Sequence, residues 1–470
     1  MTDALALPES VEAPLLVLGD CLDVLARLPA ESVDVVITDP PAGIGMMGKP
    51  WDSFAGFEPR TTRGRDVAVR LGGLLAPWAV GFVAFMADVW SEVDRVLKPG
   101  GIVCAWALPK TADLAGLALR ATGWEIFDSL LHLFGEGFSK AGDLGKKIDK
   151  MLGAEREVMG MGAARCSFLL RGEPCQCGVR EAGDPSQSGG TVHTLATAPA
   201  TPEAERWTDW SSQLAPGHEQ WLLARKPTRL TYAKQVLAHG CGALNGGACR
   251  VPRGEDGLPA VVQGKRGGGI GWGPDEKRLS HPQPGGSLPK NVLLTEGGPA
   301  CPVAELDRQS GVSVSRQGTT GGASPGQSMN STVNARQRDA GHGDTGGASR
   351  YFTRFRYEAK NSDRRAGLRS DIRNEHPTPK SVELMRWLVR LLAAKAEHTG
   401  SLPAIVLDPF AGSFTTGVAC VAEQVRFVGI ERDADSYEVG RARVLAAIGS
   451  PEAAAEANEA APSGGQLALL

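Results

Sequence analysis

No apolar run in this chain of 470 residues approaches the roughly 20 residues that cross a bilayer, which excludes a helical membrane span. The first residues lack the basic start and apolar core of a secretory signal. A soluble, cytoplasmic protein with no membrane partner is therefore expected. Nine cysteines over this length do not make a disulfide framework. Cys166, Cys175 and Cys177, with His193, come nearest to a zinc set, but Cys-x-Cys is tighter than structural zinc uses and the set is incomplete. Free thiols in a loop are expected there, and no metal. Internal repeats are lacking as well.

Net charge is small, -3, but unevenly spread. Residues 225–380 hold 24 Lys and Arg against 13 Asp and Glu, a net of +11, so the remainder carries -14. A basic middle in an acidic protein suits a polyanionic partner better than a solvated loop. At 42% hydrophobic, the chain is long enough to bury a sizeable core, as a main domain with an inserted one.

Apolar patterning alternates between strand and helix. Leu15 to Leu18 reads as a strand ending at Gly19-Asp20, and Cys21 to Leu28 has helical spacing. Val33 to Thr38 is the next strand. Phe82 to Leu97 reads as a helix stopped by Lys98-Pro99-Gly100-Gly101, with Ile102 to Trp106 as a strand after it. Lys380 to Ala396 is amphipathic, with Leu384, Leu388 and Leu391 on one face and Arg386 and Arg390 away from it. A strand at 404–407, a helix from about Thr415 to Glu423 and a strand at 425–430 follow. This rhythm implies an α/β fold with a parallel sheet covered by helices. Residues 178–206 and 310–349 have loop composition, and 450–470 that of a disordered tail.

Two apolar runs end in proline turns. Val33 to Thr38 stops at Asp39-Pro40-Pro41, and Ala404 to Leu407 stops at Asp408-Pro409-Phe410-Ala411-Gly412-Ser413. Taken singly, Asp-Pro-Pro is a turn. After a buried strand it places a carboxylate where an amino group can be gripped, on a backbone that proline fixes. The second run places a small-residue loop where a nucleoside can lie, since Gly412 lets the backbone approach a ligand. Glu431, at the end of the next strand and 19 positions after Gly412, suits a carboxylate accepting ribose hydroxyls.

In this order the two segments resemble the amino-methyltransferases of DNA, the N-4/N-6 DNA methylase family. Catalytic motif first, basic middle second and cofactor motif last are similar to its permuted, beta group. The resemblance implies a Rossmann-like class I methyltransferase sheet, circularly permuted, with an inserted recognition region. Its expected layout is a catalytic half at 15–160, a flexible linker at 161–214, a catalytic-domain strand region at 215–240, a target-recognition insert at 241–370, a cofactor half at 371–449 and a disordered tail at 450–470. The implied cofactor is S-adenosyl-L-methionine and the implied substrate double-stranded DNA. A homodimer and a cognate restriction enzyme stay open as partners.

The family pattern also distributes roles. Asp39, Pro40, Pro41 and Ala42 fall on the catalytic motif; in the family, the position of Ala42 is an aromatic that stacks on a flipped base. Trp51 is a nearby ring that offers itself instead. Asp20, Thr378, Lys380, Asp408, Phe410, Gly412, Ser413 and Glu431 fall on cofactor positions, Asp20 at the adenine and Lys380 at the methionine carboxylate. Phe414 stands where the family has glycine, and its benzyl group is expected to obstruct the cofactor or move the loop. His218-Glu219 resembles the start of a family strand near the catalytic half. In the insert, Arg350, Arg354, Arg356, Lys360, Arg364, Arg365, Arg369 and Arg373 interleave with Tyr351, Phe352, Phe355 and Tyr357, suiting phosphates and bases or a core strand. Asp at position 39 favours adenine N6 over cytosine N4. A DNA-binding homologue that has lost catalysis and an RNA or protein methyltransferase remain as alternatives.

Overall fold

The computed structural model describes residues 4–44, 57–135, 143–161, 195–252, 286–298, 300–314, 345–357 and 379–449. In chain order its strands are β1 (Leu15–Leu18), β2 (Val33–Thr38), β3 (Leu97–Ala107), β4 (Glu125–Leu133), β5 (Val158–Met161), β6 (Leu195–Thr197), β7 (His218–Arg225), β8 (Val292–Glu296), β9 (Ser313–Val314), β10 (Thr345–Gly346), β11 (Thr353–Arg356), β12 (Ile405–Asp408) and β13 (Arg426–Glu431). Nine form one sheet in the order β1-β13-β12-β2-β3-β7-β4-β8-β11. All neighbours pair in parallel except β7, which runs antiparallel to both β3 and β4. The C-terminal strands β12 and β13 thus sit between the N-terminal strands β1 and β2, the permuted α/β sheet expected from the motif order.

Helices cover both faces. Within β2, Val36 packs with the helix Pro77–Val96, while Val35 and Ile37 pack with the helix Val382–Leu392. β12 divides the same way, Ile405 and Leu407 to the first core and Val406 to the second. Two-sided burial is why these strands read as continuous apolar runs. Helix bounds shift modestly from expectation. Pro77 starts the first long helix five residues earlier, its missing N–H costing nothing at that position. Helix Cys21–Leu25 is shorter than its apolar spacing suggested.

Arg386, off the apolar stripe of its helix, is nonetheless enclosed. It is buried, with Nε donating to Glu423 Oε1 at 2.9 Å, and Arg390 Nε donates to Glu423 Oε2 at 3.0 Å. Glu423 follows the helix Thr415–Ala422, so one carboxylate ties that helix to Val382–Leu392. The stretch expected as an insert, 241–370, contributes β8 and β11 to the main sheet, with Leu293, Leu294 and Phe355 buried.

Residues 137–216 form a separate compact unit from 1–136 with 217–470. Its described residues include helix Leu144–Leu152 and β5, at the end of the stretch expected as the catalytic half, and β6 and helix Pro202–Arg206, within the stretch expected to be a linker. Buried Asp149 accepts from Arg156 Nη1 at 2.5 Å, Thr201 Oγ1 at 2.7 Å and the Ala200 N–H at 3.0 Å.

The two motif strands are joined directly. Val406 and Leu407 of β12 pair with Val35 and Val36 of β2. Above that pairing, Thr38 Oγ1 donates to Asp408 Oδ1 at 2.7 Å and Thr416 Oγ1 donates to Oδ2 at 2.6 Å. Burial pushes the Asp408 carboxyl up, against the two hydroxyls and the Phe410 N–H, to about 7.

Two predictions follow from these buried groups. Between the ordinary carboxylate value of 3.8 and about 7, the folded chain holds one proton more than the unfolded chain at Asp408. Its contribution is full below 3.8 and is lost as pH rises through about 7, with a slope approaching about 1.4 kcal/mol per pH unit. Asp408→Asn mimics the protonated acid, so denaturant titrations from pH 4 to 7 should show the slope in the parent chain and its loss in the variant. Separately, Glu423→Ala strands a buried guanidinium and should cost about 3–5 kcal/mol. Arg386→Met with Glu423→Leu should recover most of that in the same titration.

Candidate active site

Proline sets the geometry at the end of β2. Asp39 leaves the strand beside Asp408, and Pro40-Pro41 carry the chain over an apolar crevice lined by Phe82, Met86, Trp90 and Trp106. The Ala42 carbonyl accepts from Thr111 Oγ1 at 2.8 Å, which pins the far end of the turn. Ala42 also lines the crevice, and Trp51 lies outside the described residues.

The Asp39 carboxylate faces a cation. Lys380 Nζ lies 2.9 Å from Asp39 Oδ2 and 3.7 Å from Glu219 Oε2, with the Trp106 ring centroid 3.9 Å away. Glu219 is held from two further sides. Trp106 Nε1 donates to its Oε2 at 2.8 Å, and His132 Nδ1 lies 2.9 Å from its Oε1. The other ring nitrogen of His132, Nε2, is 2.9 Å from Thr295 Oγ1. Burial raises the Glu219 carboxyl, but the Lys380 charge outweighs it with help from His132 and the indole N–H, so the group is held down at about 2. Trp106, His132, Glu219 and Thr295 were not expected here. Glu219 had a signal in the His218-Glu219 pair; the others sit in strands with nothing to mark them.

Across the junction lies the loop after β12. Gly412 adopts φ +53°, and its N–H donates to Glu431 Oε2 at 2.7 Å. Glu431 Oε1 accepts the Asp433 N–H at 2.7 Å, and the Gly19 N–H donates to the Glu431 carbonyl at 2.8 Å. Burial raises the Glu431 carboxyl in spite of those N–H groups. Gly19-Asp20, Gly412 and Glu431 are thus brought together where β1, β12 and β13 end side by side.

Other expected cofactor residues have different surroundings. Asp408 faces inward to Thr38 and Thr416. The Ser413 carbonyl and hydroxyl both accept from buried Arg443 Nη1, at 2.5 and 3.0 Å. Phe410 is half-buried against the first core. Asp20 caps the helix after β1 by accepting the Leu22 N–H at 3.0 Å, and it pairs with Arg60 at 2.6 Å. Thr378 lies outside the described residues, as do Cys166, Cys175, Cys177 and His193.

Phe414, expected to obstruct the cofactor or move the loop, places its ring in the core. It takes φ +53°, the left-handed conformation that glycine adopts freely, but its ring is fully buried beneath the loop. It packs edge-on to Phe427 and Tyr437, at 6.2 and 5.8 Å between centroids. Gly429 and Gly440 make the room, since a Cβ on either would collide with the ring. The left-handed backbone costs about 1–2 kcal/mol for such a residue, and burial of a benzyl group offsets it.

The basic run of the insert is described over 345–357. Phe355 is buried in β11, 5.8 Å from the His132 ring and 6.0 Å from that of Trp387, so part of the aromatic pattern serves the core. Arg354 pairs with Glu296 at 3.2 Å and Arg350 lies over the Tyr351 ring. Lys360, Arg364, Arg365, Arg369 and Arg373 lie outside the described residues.

No helix among the described residues is long and apolar enough to cross a membrane. Among known proteins, the chain is 39% identical over 74 residues to the DNA adenine methyltransferase YhdJ of Escherichia coli (strain K12). That stretch is 16% of this chain and 23% of the relative, so the chain spans under a quarter of the curated relative it matches. Among solved structures it is similar to the PvuII DNA methyltransferase (cytosine-N4-specific), with a TM-score of 0.40 and 10% identity over 93% of this chain and 91% of that one. It is also similar to the M1.HpyAVI–SAM complex, with a TM-score of 0.32 and 12% identity over 91% and 98%. The family model described as DNA methylase matches residues 275–441, a span that takes in β8, β11, β12, β13, Lys380, Gly412 and Glu431. Over that span the chain is similar to the DNA methylase family.

Proposed function

We propose that this chain transfers a methyl group from S-adenosylmethionine to an exocyclic amino nitrogen in DNA, adenine N6 in preference to cytosine N4. The observation that carries the proposal is the junction of β2 and β12: a carboxylate on a proline turn stands beside a glycine loop backed by an acid at the next strand end.

The residues fit the cofactor. Both Glu431 oxygens already accept a backbone N–H and keep lone pairs for two ribose hydroxyls. Gly412 presents bare backbone, and the Phe414 ring lies in the core below. Asp20 stands at the end of the neighbouring strand for the adenine, where Arg60 now pairs with it. When bound, the cofactor supplies an electrophilic methyl group on a sulfonium.

An exocyclic amino nitrogen is a poor nucleophile because its lone pair is delocalised into the ring. Asp39 accepts one of its hydrogens and a carbonyl of the Pro40-Pro41 turn accepts the other. The nitrogen is drawn towards tetrahedral geometry, and its lone pair is localised and aimed. Holding the two reactants in line removes much of the entropic barrier. The cofactor would supply its methyl group to that lone pair, the electron pair of the broken bond staying on sulfur. Asp39 is placed to take the proton that the nitrogen sheds. The preference for adenine rests on Asp rather than Ser at position 39, and the name of the YhdJ relative points the same way. The basic middle of the chain suits the phosphates of the duplex.

Single-molecule sequencing of DNA from a methylation-free host expressing the chain should show one modified adenine in a fixed motif. Asp39→Ala should lower that modification by about a hundredfold or more. Methylated cytosine would reassign the base, and unmodified DNA from folded protein would refute the activity.

A further inference from the structure

Lys380 has been placed by resemblance at the methionine carboxylate, yet its ammonium lies between Asp39 and Glu219. Trp106 on β3, His132 on β4 and Thr295 on β8 form one hydrogen-bonded row with Glu219 on β7. Each neighbouring strand beyond β2 therefore contributes one polar side chain, and the row ends at the cation that meets Asp39. His132 and Thr295 are buried, each only 7% exposed. A buried polar row of this kind is costly unless every group is paired, and well ordered when it is.

Topology explains how Glu219 gets there. It lies at the N-terminal end of β7, and β7 alone in the sheet runs antiparallel. Its first residues therefore stand beside the C-terminal ends of β3 and β4, at the edge where the site is built; register pairs Glu219 with His132. A parallel strand in that place would present its N-terminal residues at the opposite edge.

We propose, building on the methyltransferase reading above, that Glu219 is a positioning residue. Fixed by His132 and Trp106, it holds the Lys380 ammonium against Asp39, so that Asp39 stays an oriented acceptor for the target amino group. With Asp39 as sole partner, the long lysine side chain would be free to swing to any anionic group of a bound ligand. Glu219 gives it a second anchor on a different strand. The role of Lys380 in this arrangement is towards the methyl acceptor rather than the methyl donor.

The test is a double-mutant cycle on the full chain with Glu219→Gln, Lys380→Met and both together. Two quantities are read: the single-turnover methylation rate on host DNA and the S-adenosylmethionine dissociation constant by calorimetry. Glu219→Gln should slow methyl transfer by roughly a hundredfold, the scale of a misplaced catalytic group. Its cofactor dissociation constant should stay within about twofold of the parent, a loss confined to the chemical step. The double variant should be no slower than Lys380→Met alone, because Glu219 acts through that lysine. Should Glu219→Gln not fold by circular dichroism, Trp106→Phe keeps the ring over Lys380, removes the N–H to Glu219 and should show the same non-additivity. Additive losses, or a weakened cofactor affinity that accounts for the slower rate, would overturn the positioning role while leaving the activity intact. A parent chain that binds neither cofactor nor methylates DNA would instead overturn the activity, and this role with it.

Discussion

A single buried carboxylate joins the two ends of this chain into one site. Asp408 and Thr38 are 370 positions apart, yet their side chains share a 2.7 Å hydrogen bond above adjacent, parallel strands. Asp39 follows Thr38 directly, and the glycine loop follows Asp408. Any slip of β12 against β2 would therefore separate the acceptor carboxylate from the loop that faces it. One-residue slips are excluded by packing, since they would turn Val406 and Leu407 each into the opposite core. The second oxygen of Asp408 goes to Thr416, at the start of the helix after the loop, so strand, loop and helix are fixed by one group. Asp408 thus fixes the loop from below, through side chains of the neighbouring strand and the following helix.

The charge arrangement differs between the two halves. On the β12 side, Glu431 is partly desolvated, with backbone N–H groups as its described partners, which leaves it well suited to neutral hydroxyls. On the β2 side, Asp39 and Glu219 share a lysine, which holds Glu219 anionic. The two acids thus stand in different settings. Both follow from position in the sheet: the first from a glycine loop that leaves backbone N–H groups pointing at the acid, the second from an antiparallel strand that delivers Glu219 and a neighbouring strand that delivers His132.

What could be read from sequence was what is local. β2 and β12 were legible because burial on both faces makes them continuous apolar runs ended by proline, and Glu431 because its distance from Gly412 is fixed by one intervening helix and strand. Glu219, His132 and Thr295 were not, because they meet only through cross-strand register, 87 and 163 positions apart along the chain. The burial of Arg386 was not legible for a related reason. Periodicity places a charge off the apolar stripe of its own helix, but says nothing about a carboxylate on the next one, and Glu423 lets that guanidinium be buried. Strand β8 and the edge strand β11 were hidden within a stretch whose composition and charge suggested an insert.

Phe414 shows why a motif departure must be judged by where its side chain goes. At a position needing φ > 0 a glycine is the unstrained choice, and a phenylalanine in the loop plane would meet the cofactor. Left-handed backbone, however, turns the Cβ of Phe414 down through the loop and into the second core. There the missing space is supplied by two other glycines, Gly429 on β13 and Gly440 on the helix Ala434–Gly449, whose absent side chains the ring replaces. The small residue is thus moved from the loop to the floor beneath it. A substitution at Gly440 should consequently disturb the loop as surely as one at Gly412, although only Gly412 lies in the motif.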